Sequence, residues 1–180
     1  MQVNLFFNYY KSKERQHEID ECLKKNMEVF DNVVTFSERL TFYEMFNMSK
    51  KYPNDINVFC NSDIYFPDAN ILKTIQPNQC YALTRWDKTT EGLKFFGRVD
   101  SQDAWVFKGT VKDMPVNFTP GLWGCDNRLV YELQRAGYNV TNPSLTIKTI
   151  HLHEIDSRNQ IRTADNTVPP PYKTLIPCHL

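Results

Sequence analysis

Asn61-Ser62-Asp63 follows directly on an apolar run at residues 56–60. A carboxylate just past the C-terminal end of a buried strand is poorly placed to pack and well placed to hold a cation or polar ligand. Open α/β sheets collect ligands at that edge. Carboxylates are hard oxygen donors suited to Mg²⁺ or Mn²⁺, so Asp63 is a candidate metal ligand. The same three residue types also suit a simple turn. A second candidate is Thr149-Ile150-His151-Leu152-His153. Alternate residues of a strand share a face, which puts His151 and His153 together, away from Ile150 and Leu152. Paired imidazoles can bind metal or phosphate, although histidine is also common on half-exposed strands. A carboxylate such as Asp63 would complete the set.

Three further segments carry chemically useful types. In Gly121-Leu122-Trp123-Gly124-Cys125-Asp126-Asn127-Arg128, Trp123 offers a flat apolar face and Asp126 a carboxylate at the start of a helix. Asp126 is also suited to be that helix's N-cap. In Ser101-Gln102-Asp103-Ala104-Trp105, Asp103 stands just before a short apolar run; a solvated turn fits equally well. Arg85-Trp86-Asp87 follows another apolar run, and arginine is the usual fork for a diphosphate or carboxylate. A surface salt bridge with Asp87 is the plainer alternative. The chain has no Gly-rich Walker or dinucleotide loop, no GxSxG elbow and no Cys–His nucleophile pattern.

The elements that must position these residues follow from periodicity. Residues 3–7 read as a first strand, ended by Asn8-Tyr9-Tyr10. Ile19, Cys22, Leu23 and Met27 form one helical stripe over residues 14–27. Residues 33–36 are a β-branched strand. Thr41-Phe42-Tyr43-Glu44 has capping-box spacing and opens a second helix, stopped by Pro53. Residues 56–60 form the next strand, and Pro67-Asp68 leads into a further helix at 69–75. Strands follow at 80–84 and 104–107, with a polar stretch to about residue 94 between them and a loop at 109–124 after them. A helix through Ala136, ended by Gly137, precedes late strands at 138–140 and 145–152. The order is β-α-β-α-β, then mostly β with one strong helix. That predicts a parallel α/β half joined to a mixed-sheet half.

The 180 residues suit one compact domain. Twelve Phe and nine Tyr supply material for a core. Twenty-one basic and 21 acidic residues leave no global field for nucleic acid or an anionic membrane. The five cysteines are scattered without CxxC or zinc spacing, which points to reduced thiols and a cytoplasmic setting. The start of the chain is too short in apolar residues for a signal peptide, and no stretch reaches membrane-spanning length.

In this order, the segments resemble a small GT-A-type nucleotide-sugar glycosyltransferase, glycosyltransferase family 2-like and DxD-type. The resemblance spans residues 3–162 and leaves 163–180 as a Pro-rich tail. It rests on Leu5-Phe6-Phe7-Asn8-Tyr9-Tyr10, on Asn61-Ser62-Asp63-Ile64 in place of the DxD motif, and on Ala82-Leu83-Thr84-Arg85-Trp86-Asp87. Ser101-Gln102-Asp103-Ala104-Trp105, Gly124-Cys125-Asp126-Asn127-Arg128, Asn142-Pro143-Ser144 and the His151/His153 strand complete it. It implies an α/β fold, GT-A-like, with a Rossmann-type nucleotide-binding half and a mixed central sheet flanked by helices. It implies transfer of a sugar from a nucleoside-diphosphate sugar, a UDP-sugar first, to an acceptor hydroxyl with help from Mn²⁺ or Mg²⁺. The donor would lie against Asn8, Tyr9, Asn61 and Arg85. Asp63 and His151 or His153 would be metal ligands, and Trp123 would face the acceptor. Asp126 would be the base of an inverting reaction, while Gln102-Asp103 matches a pair found in some retaining families. The chain departs at the first DxD position, which is Asn61 and brings no charge. The acceptor stays open among glycan, small molecule, protein and modified nucleic-acid base. A non-catalytic nucleotide-sugar-binding module and, further off, a sugar nucleotidyltransferase are the alternatives.

Overall fold

The computed structural model describes residues 1–152 and 161–180. The chain is mixed α/β, with a central six-stranded sheet and a second sheet of four strands. The central sheet begins with β1 (Val3–Asn8), which pairs in parallel with β2 (Asn32–Phe36) and β3 (Ile56–Cys60). α1 (Gln16–Val29) connects β1 to β2, and α2 (Phe42–Asn47) with a 3₁₀ turn at Met48–Lys51 connects β2 to β3. Thr41 caps α2. Its hydroxyl accepts the Glu44 amide while the Glu44 carboxylate takes the Thr41 amide, as the sequence spacing predicted.

Beyond β3 the direction changes. β4 (Ile64–Tyr65) leaves the sheet, and β5 (Gln79–Leu83) returns to it. β6 (Trp86–Thr89) and β7 (Gly92–Phe95) form a hairpin in the second sheet. β8 (Ala104–Lys108) runs antiparallel between β3 and β5. α3 (Cys125–Arg135) then leads to β9 (Asn139–Thr141), parallel to β5, and β10 (Ile150–His151) joins the second sheet. The orders are β2-β1-β3-β8-β5-β9 and β4-β10-β6-β7.

Strand alternation divides the core into two layers. Phe6, Phe59, Cys80, Ala82, Trp105 and Phe107 face one side, under Phe42 and Phe46 of α2 and Leu129 and Leu133 of α3. Leu5, Phe7, Val58, Tyr81, Leu83 and Val106 face the other, under Ile19 and Cys22 of α1. All five cysteines are free thiols. No helix among the described residues is long and apolar enough to cross a membrane.

Four local expectations need correction. Residues 69–75 form only a short 3₁₀ turn, Asn70–Thr74, because the segment is pinched between Pro67 and Pro77. The polar stretch after Arg85 is the β6–β7 hairpin, whose largely exposed strands carry no apolar alternation. Of residues 145–152 only Ile150–His151 is strand: the amides of Thr146 and Ile147 turn back to Pro143 O. Asp126 does not cap α3. Gly124 does, at a φ of 75° that favours glycine, and Asp126 lies one residue inside the helix.

The tail is extended, as its prolines predict. Its backbone bridges to Trp123 through Thr167 and to Asn142 through Pro177. Lys173 N donates to Asn127 O, and the Arg128 guanidinium holds Pro169 O and Pro170 O. The chain therefore straps its own α3 in place. Replacing Thr41 by alanine removes the hydroxyl that accepts the Glu44 amide, while the Thr41 amide keeps its bond to the Glu44 carboxylate; stability is expected to fall by about 1 kcal/mol in urea denaturation, with the fold otherwise kept.

Candidate functional site

Parallel and antiparallel strands deliver their termini to one edge. β1, β3 and β5 end there, at Asn8, Cys60 and Leu83, while β8 begins there, with Ala104 opposite both Cys60 and Leu83. Asp103, just before β8, thus arrives beside Asn61 and Arg85. Asn61 Nδ2 donates to Asp103 Oδ1 at 3.1 Å, and Arg85 Nη1 reaches the same oxygen at 3.2 Å. Ser62 Oγ donates to Asn8 O at 2.7 Å, tying β1's end to the turn after β3.

The second sheet positions the histidine. β10 lies between β4 and β6, so His151 is paired with Ile64 on one side and Asp87 on the other. Its ring bridges two carboxylates, with Nε2 3.2 Å from Asp63 Oδ2 and Nδ1 2.8 Å from Asp87 Oδ1. Asp87 Oδ1 also accepts Arg85 Nε at 2.8 Å. Arg15, the N-cap residue of α1, donates through Nη2 to Asp63 Oδ2 at 2.9 Å and through Nε to Glu18 Oε2 at 2.6 Å.

The result is one continuous chain of charge: Glu18, Arg15, Asp63, His151, Asp87, Arg85, Asp103. His151 is 1% exposed and Arg85 6%. Among the described residues the network joins four carboxyl groups, two guanidiniums and one imidazole. Burial raises the Asp63 carboxyl, but hydrogen bonds and charge from His151 and Arg15 outweigh it and hold the group well below the usual carboxylate range. Asp87 is lowered likewise: Arg85 and His151 prevail over burial. Asp103 goes the other way. Burial raises it, Arg85 opposes, and the Asp63 charge adds to the rise. Asp103 Oδ2, Gln102 Oε1 and Asn8 Oδ1 are buried with no hydrogen-bond partner among the described residues.

Behind Arg85 lies a buried polar cluster. The Thr84 amide donates to Asn142 Oδ1 at 3.2 Å and Ser144 Oγ at 2.8 Å, and Asn142 Nδ2 donates to Thr84 Oγ1 at 2.9 Å. The Phe96 ring covers the guanidinium at 3.8 Å. Arg85 is therefore held in place by its own surroundings.

Of the residues singled out by sequence, Asn61, Asp63, Arg85, Asp103 and His151 converge in this network, and Asn8 joins it through Ser62. Asp126 is adjacent: its Oδ2 accepts the Gln102 amide at 3.3 Å. Tyr9 points instead at α1, where its hydroxyl donates to Asp20 Oδ1 at 2.8 Å. Trp123 is 44% exposed and its backbone pairs with the tail. His153 lies outside the described residues. Sequence reasoning missed Arg15 and gave Asp87 only a surface salt bridge. The alternation of Arg85 and Asp87 was a usable signal; for Arg15, 48 residues from Asp63 in sequence, there was none.

No family model matches the chain, and no curated protein matches it.

Replacing Arg85 by methionine leaves Asp103 and Asp87 without their shared cation in a buried setting. A loss of about 3–5 kcal/mol is expected in urea denaturation. Arg85→Lys restores little of it, because an ammonium cannot span both carboxylates as the planar fork does.

Proposed function

We propose that the chain is a glycosyltransferase that moves a sugar from a nucleoside-diphosphate sugar to an acceptor hydroxyl with the help of Mn²⁺ or Mg²⁺. The observation that carries this reading is the pairing of Asp63 with His151 beside a pre-fixed Arg85, at the edge where β1, β3 and β5 end. The sheet order supports it: a parallel β2-β1-β3 half, an antiparallel β8, and a small second sheet carrying the histidine fit a GT-A-like architecture with a Rossmann-type nucleotide-binding half.

The residues fit a divalent cation in three respects. Asp63 is held ionised. His151 Nδ1 is anchored on Asp87, the arrangement that aims the opposite ring nitrogen of a metal-binding histidine. The 3.2 Å between His151 Nε2 and Asp63 Oδ2 is close to the roughly 2.9 Å that separates neighbouring ligands around Mg²⁺. No group of three or more His, Cys, Asp and Glu side chains among the described residues could hold a metal ion. Asp63 and His151 would therefore share the ion with the donor's own diphosphate, a division common for Mg²⁺.

When bound, the cation supplies Lewis-acid stabilisation of the leaving diphosphate. The chain's own residues do the rest. Arg85 presents fixed N–H donors where negative charge develops as the sugar–oxygen bond breaks, at no cost of reorganisation. Asn61 orients Asp103 through Nδ2, which leaves its carbonyl to accept a ribose hydroxyl. Asp103 Oδ2 and Gln102 Oε1, without a partner among the described residues, are acceptors suited to sugar hydroxyls. Asp126, fixed by the Gln102 amide, takes the acceptor's proton in an inverting transfer. The donor is a UDP-sugar by first preference, and the setting is cytoplasmic.

Two measurements test the reading. Nucleotide sugars are screened with Mn²⁺ for hydrolysis and thermal stabilisation. At least one donor should act on the wild type and none on Asp63→Ala; equal behaviour of both proteins with every donor sinks the metal site. Asp126→Asn should keep donor binding and lose transfer by at least about a hundredfold. Unimpaired transfer removes Asp126 as base, and donor binding without turnover in the wild type leaves a binding module.

A further inference from the structure

Arg15 puts a cation on the same oxygen that the proposed metal site needs. Its Nη2 is 2.9 Å from Asp63 Oδ2, and that oxygen also faces His151 Nε2 at 3.2 Å. Resting on the proposed function, we propose that Arg15 is a displaceable counter-cation: it occupies Asp63 in the ligand-free protein, yields that oxygen to the metal, and transfers its fork to the donor diphosphate.

The argument begins with crowding. A guanidinium in hydrogen-bond contact with Asp63 Oδ2 would lie only about 5 Å from a divalent ion on that oxygen, and at that range in a partly buried site their repulsion is several times thermal energy. The two cations cannot share the atom at their present distances. Arg15 is equipped to give way. It stands in the segment joining β1 to α1, outside the helix proper, and of its two side-chain hydrogen bonds among the described residues only one is to Asp63. The other, Nε to the buried Glu18 Oε2, anchors it as a pivot. Both guanidiniums span two carboxylates, but the Arg85 side chain is 8% exposed and covered by the Phe96 ring, whereas that of Arg15 is 16% exposed. Arg85 is thus the fixed cation of the edge and Arg15 the movable one. A diphosphate arriving with the metal brings the only new negative charge, and its paired oxygens match a guanidinium's parallel N–H groups.

Metal and diphosphate must then help each other. Metal alone has to evict Arg15 with nothing to receive it, so it binds weakly. With a diphosphate present, the evicted fork gains a partner and both ligands tighten. Arg15 is a positioning residue in this scheme, and its signature is a split between metal binding alone and metal binding with diphosphate. A merely structural role would weaken both.

Mn²⁺ titrations, read by loss of the free-ion electron paramagnetic resonance signal, separate the cases. They are run without and with UDP on the wild type, Arg15→Gln, Arg15→Lys and Asp63→Ala, with thermal melts as a check on folding. Arg15→Gln should bind Mn²⁺ alone about tenfold more tightly than the wild type, the worth of one charge-assisted hydrogen bond, and should lose most of the tightening by UDP. Arg15→Lys keeps the competing charge without the fork: Mn²⁺ alone should stay weak, and the response to UDP should shrink. Arg15→Lys carries the test if Arg15→Gln fails to fold. Mn²⁺ binding by Arg15→Gln no tighter than wild type, or an unchanged response to UDP in both variants, overturns the proposal. If either of those results comes with loss of Mn²⁺ binding in Asp63→Ala, only the role of Arg15 has failed. Equal Mn²⁺ binding by the wild type and Asp63→Ala would remove the metal site itself.

Discussion

An ionised carboxylate at the rim of an apolar sheet must be compensated, and Asp63 is compensated from two directions. His151 reaches it from the second sheet and Arg15 from the start of α1. Much of the rest of the fold serves that meeting. The second sheet carries β10 between β4 and β6, so that one imidazole stands between Asp63 and Asp87. Asp87 then needs Arg85, and Arg85 in turn orders Asp103. Buried ion pairs are weak contributors to net stability, because desolvation consumes most of their attraction. A run of seven ionisable groups is therefore a weak device for holding the chain together, and it is the feature on which the proposed function rests.

The layers were legible from sequence because they follow hydrophobic periodicity. Phe6 against Leu5 and Phe7, or Trp105 against Ala104 and Val106, sort to opposite faces by alternation alone. Of the stripe Ile19, Cys22, Leu23 and Met27, the first two are buried but Met27 is 64% exposed; the Thr41–Glu44 capping box was an equally local signal. Those same patterns placed Asn61, Asp63, Arg85 and Asp103 at element ends, where ligand chemistry collects. What periodicity cannot supply is which ends meet. Asp63 and His151 are 88 residues apart, and the strand that joins them is two residues long. The β6–β7 hairpin was invisible for a related reason: its charged, largely exposed strands are held by backbone pairing in a small sheet, not by burial of one face.

Asp126 shows how a plausible local reading can go astray. Aspartate before a helical run suggests a cap, but Gly124 takes the left-handed turn and opens the helix two residues earlier. Freed from capping, the Asp126 carboxylate accepts the Gln102 amide, next to Asp103. A backbone choice at one glycine thus redirects a carboxylate from a structural duty to the rim of the site.

The strap formed by the tail has a consequence for how the molecule is assembled. Pro169, Pro170 and Lys173 grip Arg128 and Asn127, while Cys178 returns to Asn142. Each closure spans some 36 to 46 residues, with loop entropy paid before any contact is gained. During synthesis the sheet and both early helices are out of the ribosome before the strap exists. The corner that holds α3 and Asp126 is therefore completed last, against a sheet that is already in place.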